Sequence, residues 1–308
     1  MTRRILLIAN PSAAAGRASG RWENLLGSLK KRQLKVDYAL SNHPRHAVDL
    51  ARDAAGKYDV IAAVGGDGTM NEVANGILFS NRNDTALAVV PLGTGNDLAR
   101  LIGIRTVEDS LDALAQGATQ VIDAIEVSCC EQGKTAKHYA LLYAAVGFAG
   151  EVGKHTTPTI KGIFGQRFCY SIGFFLALLR FESPNMRVRC DEREFNGRMF
   201  LVSAAKAEII GGGAMRLSPG AKIDDGKLHV NVVEHLGRLE TTRCFPRLLM
   251  GTHTTHPKVQ YFPATVVHIE SHSQIDLQLD GELIGTTPAT LAVKAKALRI
   301  ITGWGLSR

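Results

Sequence analysis

Short apolar runs alternate with amphipathic ones through the first third of the chain. Arg4-Ile5-Leu6-Leu7-Ile8-Ala9 predicts a strand ended by Asn10-Pro11. Arg21 to Arg32 places Trp22, Leu25, Leu26 and Leu29 on one side at helical spacing. Val36 to Leu40 predicts a second strand, Ala47 to Ala55 a second helix, and Val60 to Val64 a third strand. A helical pattern, Val73-Ala74-Asn75-Gly76-Ile77-Leu78, and a fourth strand, Ala86 to Val90, follow. Uninterrupted apolar strands alternating with helices imply a parallel sheet covered on both faces. Such sheets collect ligands at the carboxyl ends of their strands, where Asn10, Gly65 and Gly93 fall.

Beyond about residue 119 the rhythm changes. Val121–Cys129, Tyr139–Val146, Met199–Ala205, Leu228–Val233, Thr265–Ser271 and Ile275–Leu279 read as strands with few helices between them, an antiparallel β-rich pattern. Ile160 to Phe181 is the exception, with Ile160, Phe164, Phe168, Ile172, Phe175 and Leu179 at helical intervals. Arg299-Ile300-Ile301-Thr302 predicts a last strand returning to the first domain. The expected division is an α/β domain over 1–119 plus 296–308, and a β-rich domain over 120–295.

Composition agrees with this and narrows the partners. A chain of 308 residues, 45% hydrophobic and 21% charged, has the make-up of a soluble globular protein with room for two domains. No secretory signal is expected, because Met1-Thr2-Arg3-Arg4 leads into only a short apolar run before Asn10. No segment approaches the roughly 18 apolar residues needed to span a bilayer. Cys129, Cys130, Cys169, Cys190 and Cys244 are odd in number and lack CxxC spacing, which reads as free thiols in a reducing cytoplasm. A formal charge of +7 and a pI near 9.2 imply an anionic partner. The basic residues are scattered, with no stripe interleaved with aromatics, which speaks against nucleic acid. The anionic inner membrane leaflet accounts for the charge, so a cytoplasmic protein in peripheral membrane contact is expected; a homodimer is compatible with the sequence.

The candidate chemistry begins at Gly65-Gly66-Asp67-Gly68-Thr69-Met70-Asn71-Glu72, between the third strand and a helix. Glycines there remove Cβ atoms, so backbone amides at a helix N-terminus can approach an anion. Asp67 would repel a phosphate unless a metal or a transferred proton intervenes, which points to nucleotide chemistry rather than anion storage. A second loop, Pro91-Leu92-Gly93-Thr94-Gly95-Asn96-Asp97, follows the fourth strand, with Asn96 or Asp97 placed to cap a helix from Leu98. Taken locally, Asp280-Gly281 and Asp224-Asp225-Gly226 read as turns. His253 and His256 have HxxH spacing without the acidic or Cys partner that completes a metal set. Phe164, Phe168, Phe174, Phe175 and Leu176, flanked by Lys161, Arg167 and Arg180, fit either an interfacial helix or one packed over the second sheet.

Together, residues 65–76 and Pro91 to Arg100 resemble the bacterial diacylglycerol-kinase-type lipid kinases. The resemblance continues in order through Asn10-Pro11, Val146-Gly147-Phe148, Gly211-Gly212-Gly213, Pro219 to Leu228 and Leu279-Asp280-Gly281-Glu282. It implies an ATP-binding α/β domain facing an antiparallel, sandwich-like β domain, with the active site in the cleft between them and the γ-phosphate of ATP passing to a lipid hydroxyl. By position, Gly66 to Glu72 would form the nucleotide phosphate loop with Thr94 adding a contact. Ser41 stands where the family often has a Thr against the nucleotide. Glu282 matches the acceptor of the lipid's proton. Asp225 matches a Mg²⁺ ligand flanked by backbone carbonyls at Lys222 and Lys227.

These residue types suit phosphoryl transfer, which needs positioned donors and charge neutralisation and a carboxylate to take the proton of a weakly acidic hydroxyl. Asp67, Asp280 and Glu282 are the catalytic candidates. The alternatives are an NAD kinase-like enzyme, which shares a Gly-Gly-Asp-Gly-Thr loop, and a non-catalytic lipid- or nucleotide-sensing protein of the same fold. In the first, an Asn-Glu pair belongs to a separate later motif, whereas here Asn71-Glu72 follow the loop directly.

Overall fold

The computed structural model describes residues 3–10, 19–82, 84–93, 95–155 and 173–303, with the backbone alone for 19–21. The chain divides into two compact units, Met1–Ile122 with Lys296–Arg308, and Asp123–Ala295.

In the first unit β1 (Ile5–Ala9) lies between β2 (Val36–Leu40) and β3 (Val60–Gly65), parallel to both, with Ile5 opposite Val36 on one side and Val60 on the other. β4 (Ala86–Pro91) continues the sheet beside β3, Val60 opposite Ala86. Every residue of β1, β3 and β4 is buried, whereas β2 at the edge is half open. This is why only β2 carries Asp37 and Tyr38 among its apolar positions. Helices α1 (Ser19–Lys31), α2 (His46–Ala54), α3 (Asp67–Ser80), α4 (Asp97–Leu101) and α5 (Val107–Gln116) connect and cover these strands. α5 starts at a capping box: the Thr106 hydroxyl accepts from the Asp109 amide, and the Asp109 carboxylate accepts from the Thr106 amide. Gly76 in α3 has a packing reason, since a Cβ there would collide with the Val48 carbonyl of α2.

The strand pairs described below for the second unit are antiparallel. β5 (Thr119–Glu131) enters it and forms a hairpin with β6 (Lys134–Ala140). β7 (Tyr143–Gly147) leads into α6 (Phe148–His155) and pairs with β9 (Arg193–Ala205). The first half of β9 forms a hairpin with β8 (Asn185–Cys190), and its second half pairs with β10 (Leu228–Glu234). β11 (Val259–Ala264) pairs with β10, and β12 (Val266–Ser271) with β8. β13 (Asp276–Leu279) pairs with β7 and with the start of β14 (Glu282–Ile301). Long strands that change partners along their length curl the sheet into a barrel-like sandwich. Val127, Val146, Val188, Val202, Val230, Ile269, Leu277 and Leu291 fill it. α7, described over 173–180, and α8 (Arg238–Met250) carry a second cluster in which Phe148 stacks on Phe200 at 4.5 Å and Phe174 meets Phe245 at 4.3 Å.

Several expectations are revised. Tyr139–Val146 is two strands rather than one, broken at Leu141-Leu142. The expected returning strand at Arg299 is present, as the end of the long β14, where Arg299 and Ile300 run parallel to β4. β8, β11, α6 and α8 were not legible in advance. The amphipathic stretch from Ile160 falls outside the described residues as far as Ile172. Of the adjacent cysteines, Cys129 is buried and Cys130 half-buried, and the four described cysteines are free.

Candidate active site

The two glycine loops of the first unit touch. The Leu92 and Gly93 amides donate to the Gly65 carbonyl at 2.9 and 3.2 Å. A Cβ on Gly93 would stand 2.5 Å from the Gly66 Cα, and one on Gly65 2.6 Å from the Thr69 hydroxyl. Close approach of backbone to backbone is thus what these glycines provide. Gly66 precedes α3 in an extended conformation and Asp67, Gly68 and Thr69 begin its first turn, where amide groups are left for an anion.

Asp67 does not point into open solvent. Its Oδ1 accepts the Asp97 amide at 2.7 Å, so the carboxylate of one loop holds the helix start of the other. Burial and the neighbouring Asp97 carboxylate push Asp67 up to about 6, against the lowering effect of amides at Asn96, Asp97 and Leu98. Asp97 is itself buried and paired with Arg100 at 3.3 Å; Arg100 also donates to the Gly95 carbonyl. Asn96 takes the left-handed conformation before α4 and donates to the Gly93 carbonyl at 2.7 Å instead of capping through its side chain.

The remaining loop residues have mixed placements. Glu72 accepts the Arg45 amide at 3.2 Å, tying α3 to the loop before α2. Asn71 is buried and bonds to Asn75 at 2.9 Å. Met70 is fully buried and its amide donates to the Gly66 carbonyl, so its place is in the core rather than against a ligand. Ser41 is buried at the end of β2, and its hydroxyl donates to the Ala9 carbonyl at 3.4 Å, next to the half-buried Asn10. Thr94 lies outside the described residues.

In the second unit Asp280 and Glu282 separate in role. Asp280 and Gly281 form the two-residue turn between β13 and β14, both at positive φ. The Asp280 carboxylate accepts the amides of Leu141, Leu142 and Tyr143 at 2.8, 2.9 and 2.9 Å. That clamp occupies the break between β6 and β7, so the Asp280 carboxylate expected to be catalytic is engaged by backbone amides. Glu282, the first residue of β14, is exposed.

The residues expected to hold Mg²⁺ have another partner in the structure. Asp225 Oδ1 accepts the Lys206 ammonium at 2.5 Å, Asp123 Oδ2 accepts it at 2.8 Å, and the Lys227 carbonyl accepts it at 2.8 Å. A cation already stands where Asp225 and the Lys227 carbonyl were expected to hold Mg²⁺, and Lys222 is exposed, not among these groups. Burial works against the Asp225 carboxylate, but hydrogen bonds from Lys206 and His229 and the lysine's charge outweigh it, holding Asp225 at about 2. These oxygens are engaged by the ammonium, which leaves no room among them for a divalent ion. Among the described residues no group of three His, Cys, Asp or Glu side chains could hold a metal. Sequence reading missed Lys206 and Asp123, although a signal existed: each is a lone charge in an apolar run, Ala204-Ala205-Lys206-Ala207 and Val121-Ile122-Asp123-Ala124-Ile125. Buried charges of opposite sign call for each other.

An apolar pocket of about 130 Å³ opens in this unit, lined by Phe148, Phe174, Phe200, Met215, Phe245 and Leu248 among others, with Tyr143, Ser203 and Gln278 as polar groups. Gln278, four residues before Glu282, accepts the Tyr143 hydroxyl at 3.0 Å. α6 lies close against this hairpin because Gly150 and Gly153 face it: a Cβ at Gly150 would stand 2.9 Å from the Asp276 carbonyl and one at Gly153 3.0 Å from Leu283.

A parallel α/β unit with paired glycine loops, followed by a curled antiparallel unit, is the two-domain fold of a class of kinases. The diacylglycerol kinase catalytic domain model matches residues 4–127, and the YegS C-terminal NAD kinase beta sandwich-like domain model matches 144–302. The chain belongs to this family. It is 29% identical over 304 residues to the diacylglycerol kinase of Staphylococcus saprophyticus, covering 98% of this chain and 96% of that one. It is 31% identical over 291 residues to a diacylglycerol kinase of Staphylococcus aureus, covering 94% and 89%. A crystal structure of a diacylglycerol kinase from Bacillus anthracis shares the fold, with a TM-score of 0.73, 20% identity and 97% of each chain covered.

Proposed function

We propose that this protein moves the γ-phosphate of ATP to the hydroxyl of diacylglycerol, phosphatidylglycerol or a related lipid, at the inner face of the membrane. As a member of this family it is a lipid kinase; the acceptor and the roles of individual residues are our reading. The observation that carries it is the apolar pocket of the second unit, placed beside the hairpin that bears Glu282, in a chain whose first unit bears two joined glycine loops.

In this reading the nucleotide's phosphates rest on the amides of Gly66 to Thr69, which precede the first amide engaged within the helix. Mg²⁺ travelling with ATP supplies charge neutralisation at the transferring phosphate. Asp67, already joined to the second loop and burdened by Asp97, gains most from that neutralisation, being the carboxylate that burial disfavours. Glu282 takes the proton of the lipid hydroxyl, and Asp280 holds the turn on which it sits. The acyl chains enter among Phe148, Phe174, Phe200 and Phe245. Around that pocket α7 and α8 expose Phe175, Leu176, Leu179, Leu239, Leu249 and Met250, an apolar surface for peripheral contact with the bilayer. No helix among the described residues is long and apolar enough to cross a membrane.

The direct test is incubation with labelled ATP and separate diacylglycerol, phosphatidylglycerol, ceramide, sphingosine and NAD. Label is expected on a lipid; label on NAD alone, or on nothing with folded protein, overturns the reading. Glu282→Gln is expected to lower turnover by about 10²–10⁴-fold while ATP binding persists, and unchanged turnover removes Glu282 from the chemistry.

A further inference from the structure

We propose that the Lys206 ammonium is a built-in structural cation, which makes the second unit independent of the divalent ion that the family resemblance assigns to Asp225. This goes beyond the lipid kinase reading and does not depend on it.

Among the described residues Lys206 is the largest side chain with essentially no exposure, standing immediately after β9. An ammonium has three hydrogens, and here each has an oxygen: Asp123 Oδ2 at 2.8 Å, Asp225 Oδ1 at 2.5 Å and the Lys227 carbonyl at 2.8 Å. These are hydrogen-bond lengths, well beyond the roughly 2.0–2.1 Å that Mg²⁺ demands of its oxygen ligands. The three oxygens come from two segments: β5, and the turn at Asp224 to Lys227 that leads into β10. Asp123 fastens the same turn twice more, its amide donating to the Ile223 carbonyl at 2.9 Å and its Oδ2 accepting the Gly226 amide at 2.7 Å. Asp225 Oδ2 is held by His229 Nε2 at 2.8 Å, and His229 Nδ1 lies 3.2 Å from the Tyr261 hydroxyl, which donates to the Pro219 carbonyl at 2.7 Å. One covalently tethered charge therefore gathers the strand ends and the turn that a bound ion would otherwise gather. A tethered ammonium cannot dissociate, and it repels a second cation from the same oxygens.

Thermal melting of the full chain without ATP or lipid tests this separately from any kinase activity. The native protein is expected to melt at the same temperature in EDTA, Mg²⁺ and Ca²⁺, and to show no Mn²⁺ binding by electron paramagnetic resonance that Asp225→Asn removes. Lys206→Met, which keeps the stem and removes the charge, is expected to lower the melting temperature by about 10 °C. A native protein that loses several degrees in EDTA and regains them with Mg²⁺ overturns the proposal. So does one Mn²⁺ bound to native protein and lost in Asp225→Asn. If Lys206→Met does not fold, the EDTA and Mn²⁺ measurements on native protein still decide.

Discussion

Asp67 and Asp225 are both aspartates half-hidden in the fold, one at the phosphate loop of the first unit and one in the lysine cluster of the second, and their surroundings push them in opposite directions. Asp67 has backbone amides and another carboxylate for company, and rises to about 6. Asp225 has a lysine and a histidine, and falls to about 2. Burial disfavours both charges; what differs is whether a cation is built in. In the first unit no cation is among the causes that set the Asp67 carboxylate, so burial and Asp97 leave it disfavoured as a charge. The second carries its own and is settled from the moment it folds. A carboxylate that a protein holds uncomfortable is a better guide to chemistry than one it holds comfortable.

The largest effect that can break this contrast lies in the second unit. Asp225→Asn leaves Lys206 short of one charge partner and is expected to cost about 3–5 kcal/mol in urea unfolding. A neutral result would mean that the cluster does not organise the turn. The pH dependence carries the same information. Asp225 sits below its ordinary 3.8 when folded, so its contribution is present above about pH 4 and lost as pH falls toward 2, about 2 kcal/mol in all.

Asp67 should behave in the reverse sense. Its folded value lies above the ordinary 3.8, so its stability contribution is full below about pH 4 and lost as pH rises through 6. The loss is about 3 kcal/mol. Asp67→Asn, whose side-chain oxygen still accepts the Asp97 amide, is therefore expected to stabilise the nucleotide-free protein at pH 8 by about 1–3 kcal/mol. Kinase turnover should collapse in the same variant. Loss of stability at pH 8 would show that the native carboxylate is already compensated.

The smallest effect concerns the third aspartate. Asp280→Asn puts an NH₂ group against one of three backbone amides, with an expected cost of about 1–3 kcal/mol and a fall in kcat from displacement of Glu282. A fall in kcat without any stability loss would return Asp280 to the catalytic group.

The phosphate loop was legible because its chemistry is local. Gly65 to Glu72 and Gly93 to Asp97 are contiguous, and glycine next to a strand end has few other uses. Asp280-Gly281 was legible as a turn for the same reason. The clamp by Asp280 on Leu141 to Tyr143 was not, since it joins residues more than a hundred positions apart. Met70 was read with its loop neighbours because adjacency along the chain hides that a helix turns successive side chains to different faces. β8 alternates perfectly, Met186, Val188 and Cys190 buried against exposed Arg187 and Arg189, but was missed because it is short and rich in charge. β11 is masked by Pro263, which its exposed face tolerates.

By itself, the amino-acid sequence determined the alternation of buried strands and helices in the first unit, the two loops, the family and with it the class of reaction. Hydrophobic period and glycine placement are properties of neighbours in the chain, and need no fold to be seen. Only the tertiary structure decided what each carboxylate faces. Asp225 carried a metal in the reading of its motif, and a lysine from the end of another strand took that place. The identity of a counter-charge is a matter of distance in space, on which order along the chain places almost no constraint.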